Sequence, residues 1–188
     1  MKIIQLSLFC LLACAPLEGP VAAEFDIAIT QRVKQASNPV TPGALLARLA
    51  SDEVERVRLA VASNRRAPIN VYLRLAKDAS ADVRMALALN IDAPEQAKLT
   101  LARDNSHDVR LRLAKCGYMF PSVLKVLAKD PSAEVRQLVA VNLNATPEVL
   151  LVLVNDPDPL VREGVRVHPA ITPVILNLLT LKNQGHDA

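Results

Sequence analysis

Aromatic residues are almost missing from this chain: no tryptophan, two tyrosines and three phenylalanines in 188 residues. A core must therefore be built from Leu, Val and Ala, and the stacking platforms that hold single-stranded nucleic acid are lacking. The five glycines never cluster, so no glycine-rich phosphate loop is present. Cys10 and Cys14 fall at the start of the chain, which leaves Cys116 alone in the remainder. One thiol excludes a disulfide framework and a cysteine-held cluster. His107, His168 and His186 lack metal-ligand spacing, and no cofactor is expected. The net charge of +3 is spread over mixed acids and bases, without the concentrated basic face that nucleic-acid binding requires. Nor does any segment alternate with the period of a half-buried strand.

What is present begins with a leader. Lys2 precedes an apolar run from Ile3 to Ala15, followed by Pro16, Gly19 and Pro20. The run is too short to span a bilayer. Val21-Ala22-Ala23 offers small residues for signal peptidase, so residues 1–23 read as a signal peptide and the protein as exported and periplasmic. A rival cleavage stays open: Leu11-Leu12-Ala13-Cys14 resembles a lipobox, which would lipidate Cys14 and anchor the protein to a membrane.

The rest of the chain is organised by a 26-residue period. Asp recurs at Asp26, Asp52, Asp78, Asp104, Asp130 and Asp156, and a Val-Arg pair recurs at Arg58, Arg84, Arg110, Arg136 and Arg162. Asn follows at Asn38, Asn64, Asn90 and Asn142, with Cys116 and His168 in the equivalent places. A period held over so many units marks a solenoid. Its domain is expected over residues 24–181, with a polar tail over 182–188.

Each unit reads as two short helices. The first opens at Pro42, Pro68, Pro94, Pro121, Pro147 or Pro173, because proline lacks only an N–H that the first turn leaves unpaired. Thr41, Thr146 and Thr172 are its expected caps, and Lys77, Arg103 and Lys129 its C-terminal cations. Pro121 arrives one place later than Pro94 predicts, which suggests a one-residue insertion. The second helix is expected to start behind Ser80, Ser106, Ser132 or Asp158 and to bury Val57, Ala60 and Val61 and their counterparts. Its closing Asn suits a left-handed C-terminal residue.

These motifs, D-P-x-x-x-V-R followed by A-V-x-N-x-x-x-T-P, resemble the leucine-rich repeat variant family over residues 26 to about 180. The resemblance implies an all-α, right-handed α-solenoid akin to HEAT and armadillo repeats, whose units pair one α-helix with a shorter, often 3₁₀, helix. It also brings an N-terminal cysteine cluster for an iron–sulfur centre, to which nothing in this chain corresponds.

Three groups of residues are candidates for a role. The rows Asp52, Asp78, Asp104, Asp130, Asp156 and Arg58, Arg84, Arg110, Arg136, Arg162 read as a structural ladder, each Arg six residues after the Asp of its own unit. Arg112 and Cys116 break their rows one helical turn apart and precede Tyr118, Met119 and Phe120, which makes them a candidate small-ligand pocket. In the post-proline helices, Arg48, Arg74, Thr100, Val126 and Val152 change from charged to apolar along the chain. Val126, Leu150, Leu151, Val152, Ile175 and Leu179 are thus a candidate interface, for a partner or for a homodimer through the C-terminal end, unless the last half unit folds back as its own cap. The expected role is a non-catalytic scaffold for a protein or peptide; the alternative is a lyase-type enzyme or small-ligand binder at Arg112 and Cys116.

Overall fold

A computed structural model describes residues 20–184, with side chains over 26–180. The expected leader with Cys14 lies outside the described residues, apart from Pro20–Ala23 at the start of the first helix. The expected tail lies outside them too, apart from residues 182–184 at the end of the last.

Twelve α-helices follow one another, and no strand occurs among the described residues. A long first helix, α1 (Pro20–Ser37), is followed by five pairs. The post-proline helices are α2 (Gly43–Leu49), α4 (Ile69–Leu75), α6 (Glu95–Leu101), α8 (Pro121–Leu127) and α10 (Pro147–Leu153). Their partners are α3 (Glu55–Ser63), α5 (Ala81–Leu89), α7 (His107–Ala114), α9 (Ala133–Ala140) and α11 (Pro159–Arg166), and α12 (Pro173–Gln184) closes the series. Each helix packs on its partner and on its counterparts in the neighbouring units. The result is two stacked layers, a helical repeat solenoid.

The core lies between the layers. Val57, Val83, Val109, Val135 and Val161 are fully buried, and the post-proline helices answer with Leu75, Leu101, Leu127 and Leu153. Ala62, Ala88, Ala114 and Ala140 let the second-layer helices approach closely. The approach is close at α11, where a Cβ on Gly164 would stand 2.9 Å from the Cβ of Ala140.

Local chemistry departs from expectation in four places. The post-proline helices are seven-residue α-helices, not 3₁₀ turns. Pro42, Pro68 and Pro94 stand just before their helices, whereas Pro121 and Pro147 are first helical residues. Since Glu95 and Pro121 open successive post-proline helices, α6 and α8, 26 residues apart, the proline has moved within an unbroken register and nothing is inserted. Among the expected caps, Ser80 and Asp158 accept backbone N–H bonds, as does Thr172 from Ile175. Ser106, Ser132 and Thr146 hold the cap position without such a bond, and the Thr41 hydroxyl donates to Gln35 O instead. Finally, Asn64 and Asn90 are extended (φ −72°) rather than left-handed, because their side chains are committed elsewhere.

Gly164→Ala is expected to lower the melting temperature. Alanine gains about 1 kcal/mol of helix propensity over glycine, but forcing α9 and α11 apart costs about 1–3 kcal/mol. Thermal unfolding that shows a more stable variant would mean that this helix spacing gives way freely.

Candidate functional site

Two polar ladders run along the second layer, one at each end of its helices. At the N-terminal end, Arg58 donates from Nε to Asp78 Oδ2 (2.8 Å) and from Nη2 to Asp78 Oδ1 (3.1 Å). The same bidentate pairing joins Arg84 to Asp104, Arg110 to Asp130 and Arg136 to Asp156. The carboxylate therefore belongs to the following unit, 20 residues on, and not to the Asp six residues earlier. That earlier Asp contributes its backbone instead: Arg58 Nη1 donates to Asp52 O and Glu53 O. Each Asp also caps its own loop, as when Asp78 Oδ1 accepts from Ser80 N at 2.9 Å. The ladder starts at Arg32, 3.3 Å from Asp52. At its far end Arg162 holds Asp156 O and Pro157 O without a carboxylate among the described residues.

These bonds engage four of the five guanidinium N–H groups of each paired Arg. The paired members Arg58, Arg84, Arg110 and Arg136 are thus not available to bind phosphate. Burial works to raise the Asp156 carboxyl, yet bonds from Arg136 and the Asp158 amide hold it below the usual carboxylate range.

The second ladder was not anticipated. The buried Asn64 donates from Nδ2 to Ala36 O (2.7 Å) and Asn38 O (3.0 Å), while its Oδ1 accepts from Arg66 N. Asn90 repeats this toward Ala62 O and Asn64 O, and Asn142 toward Cys116 O. His168 imitates the amide: its Nδ1 accepts from Ala170 N and its Nε2 donates to Asn142 O at 2.9 Å. The period displayed these residues, but only their side-chain direction reveals that they sew each unit to the preceding one.

Cys116 is where this ladder is mended. Its thiol reaches Ala88 O at 3.2 Å, a place an amide would fill with a stronger donor. Lys98 supplies that donor from another helix, with Nζ 2.6 Å from Ala88 O. Lys98 is only 3% exposed, in a row otherwise occupied by the buried Leu46, Tyr72, Leu124 and Leu150. Burial lowers its ammonium pKa. Burial likewise raises the Cys116 thiol, against the opposing charges of Lys98 and Arg112. A thiol so placed is protonated at neutral pH and is a poor nucleophile.

The other members of the expected pocket do not converge on the thiol. Arg112 is exposed, and only its backbone carbonyl meets Cys116 (3.6 Å). Tyr118 is 68% exposed and touches Phe120 edge-on, whereas Met119 is buried in a row of Ala67, Ala93 and Ala145. The expected interface also divides. Leu150, Ile175 and Leu179 are core residues, because α12 folds back on α10 and α11 through Ile175 and Leu179. Val126 and Val152 are half-buried, and Leu151 is exposed. The two flanks of that buried stripe on α12 leave Val174 and Leu178 on one side, and Leu176 on the other, in solvent.

A cleft of about 810 Å³ opens between the loops after α6 and α8, walled by Arg103, Lys125 and Lys129 over Leu99, Ala102 and Val126. It shares Arg103, Asp104 and Asn105 with a smaller cleft one unit earlier that includes Lys77. Among the described residues no group of His, Cys, Asp and Glu could hold a metal ion, and no helix is long and apolar enough to cross a membrane.

No protein-family model matches the chain, and no curated protein does. Among solved structures it is similar to one described as a leucine-rich repeat variant with a novel repetitive protein structural motif. The two share 27% identity over 86% of this chain and 71% of that one, with a TM-score of 0.53.

Two predictions follow from the ladders. Arg110→Ala leaves the carboxylate of Asp130 buried and unpaired, and is expected to cost about 3 kcal/mol in denaturant unfolding. A loss below about 0.5 kcal/mol, the ordinary surface value, would show that the bridge is not a structural tie. Secondly, Lys98→Leu with Cys116→Asn should restore the ladder and stabilise by about 1 kcal/mol more than the two single changes combined. The lowered Lys98 amine favours the native state as pH rises toward its ordinary value of 10.5. Lys98→Leu should abolish that gain, and a pH slope that it leaves unchanged in a Cys116→Ala background, where no thiol titrates, would refute the assignment.

Proposed function

We propose that this chain, a leucine-rich-repeat-variant-like α-solenoid, is a binding scaffold that holds a protein or peptide and performs no catalysis. One observation carries the reading: the ladders consume the repeated polar groups in holding units together, while non-ladder side chains stand in open rows along the post-proline helices. A surface of that kind suits recognition of an extended partner. The lyase-type alternative at Cys116 loses its chemical support, since the thiol is raised by burial and donates to a backbone carbonyl.

The scaffold is further proposed to be exported to the periplasm, with signal peptidase cutting before Glu24 and lipidation at Cys14 as the rival. Self-association through the C-terminal end is part of the same proposal. It would use Leu151, Val174, Leu176 and Leu178, whose apolar surface is exposed, and not the buried Leu150, Ile175 and Leu179.

Capture of partners from the periplasm of the native cell, with and without Cys116→Ala, tests the reading. The expected result is a protein retained equally by both forms and released by excess soluble chain. Loss of retention with Cys116→Ala at an unchanged melting temperature would transfer the function to the thiol. The mass of the exported protein decides between the two cleavages, a start at Glu24 being expected.

A further inference from the structure

We propose that the groove along the loops after α4, α6 and α8 binds an extended acidic peptide segment of a partner protein. The inference rests on the scaffold reading and gives the partner its chemistry. The two adjoining clefts share Arg103, Asp104 and Asn105, so they form one continuous groove across three units.

The charge of that groove follows from the ladder. Asp78, Asp104 and Asp130 face it, but each is neutralised by the bidentate Arg of the preceding unit. What remains are Lys77, Arg103 and Lys129, each two residues beyond the end of its helix, together with Lys125. All four are exposed, and none is in an ion pair among the described residues. Two further acids adjoin the groove. Glu95 bonds the Ser122 hydroxyl, and Glu148 feels the charge of Lys125.

Helix termini explain only part of this arrangement. A cation just past a helix end complements its carbonyl dipole, which accounts for Lys77, Arg103 and Lys129. It reaches Lys125 too, in the last turn of α8, but does not explain why a cation interrupts a row otherwise occupied by Ala47, Leu73, Leu99 and Leu151. That cation faces the cleft, where Leu99, Ala102, Val126 and Pro131 provide an apolar floor. Unpaired positive walls over an apolar floor fit a peptide whose acids alternate with apolar residues. In extended form, successive side chains point to opposite sides, so one set meets the cations and the other the floor. Duplex nucleic acid fits less well, since the four cations are interrupted by apolar surface rather than gathered into a basic face.

Fluorescence anisotropy on the full chain tests this. The probe is a labelled peptide of about twelve residues alternating Glu and Leu, about 40 Å long when extended. Its counterpart carries Gln for Glu, and an oligonucleotide of similar charge serves as a second competitor. The acidic peptide should bind, weaken as salt rises, and exceed the Gln peptide by about tenfold or more. Arg103→Glu with Lys129→Glu should weaken it by about a further tenfold at an unchanged melting temperature, and Lys125→Gln, a milder change, by less. Arg56→Glu, an exposed reversal outside the groove, should leave it unchanged.

Equal binding of the Gln peptide, indifference to the groove reversals, or tighter binding of the oligonucleotide would each overturn the proposal. The scaffold reading has its own failure. If the native partner is captured normally by the Arg103→Glu, Lys129→Glu form, the groove assignment falls and the scaffold stands. If the wild-type chain retains neither peptide nor any partner, both fall.

Discussion

The arginine–aspartate bridge is the constraint on which the solenoid depends, because each of its carboxylates serves two units at once. Asp78 caps its own loop through Ser80 N and receives the fork of Arg58 from the unit before. Arg58 meanwhile holds the carbonyls of Asp52 and Glu53. One guanidinium thus fixes the start of its own helix and the distance to the next. With both partners largely withdrawn from water, removing either leaves a charge that solvent cannot recover cheaply. The asparagine ladder does the same work at the opposite helix end with neutral groups. Held at both ends, the second-layer helices cannot slide, and the small residues between them can be packed to contact, as Gly164 is against Ala140.

The period made the rows readable and left their partners hidden. Every Arg of the row has one Asp six residues before it, and all but Arg162 have another 20 residues after it, so the two intervals repeat with nearly equal regularity. Only the direction of the side chain decides between them, and it chooses the later one. Regularity alone also cannot separate a cap from a tie. The Asn row looked like a series of helix stops, whereas its amides bond carbonyls 26 and 28 residues away. The C-terminal helices misled for another reason. An unbroken apolar run marks burial without saying which face is buried, and α12 turns Ile175 and Leu179 inward while Val174, Leu176 and Leu178 stay out.

Departures from the rows were as informative as the rows, once paired correctly. Cys116 stood out beside Arg112, one helical turn away, but that neighbour gives its thiol only a long contact to a backbone carbonyl and a charge that burial outweighs. The relevant departure is Lys98, a charged residue in a row of Leu and Tyr on a different helix. The two meet at Ala88 O, where a weak thiol donor has been supplemented by a buried ammonium. A buried lysine without a carboxylate is costly. Its presence there is explained by the carbonyl that an asparagine would otherwise have satisfied.

A scaffold built in this way separates what it can vary from what it cannot. Ladder residues are bound to their own unit and to a neighbouring one, so altering one to suit a ligand would disturb two units together. Residues just beyond the post-proline helices have no such duty: Lys77, Arg103 and Lys129 bond to no carboxylate, yet stand at intervals that the ladder fixes. Neutralised acids below and free cations above give the groove a positive potential without any change in the ladder itself. Under the proposed binding role, recognition would be rewritten along this edge, one unit at a time, while the bonds that define the spacing remain in place.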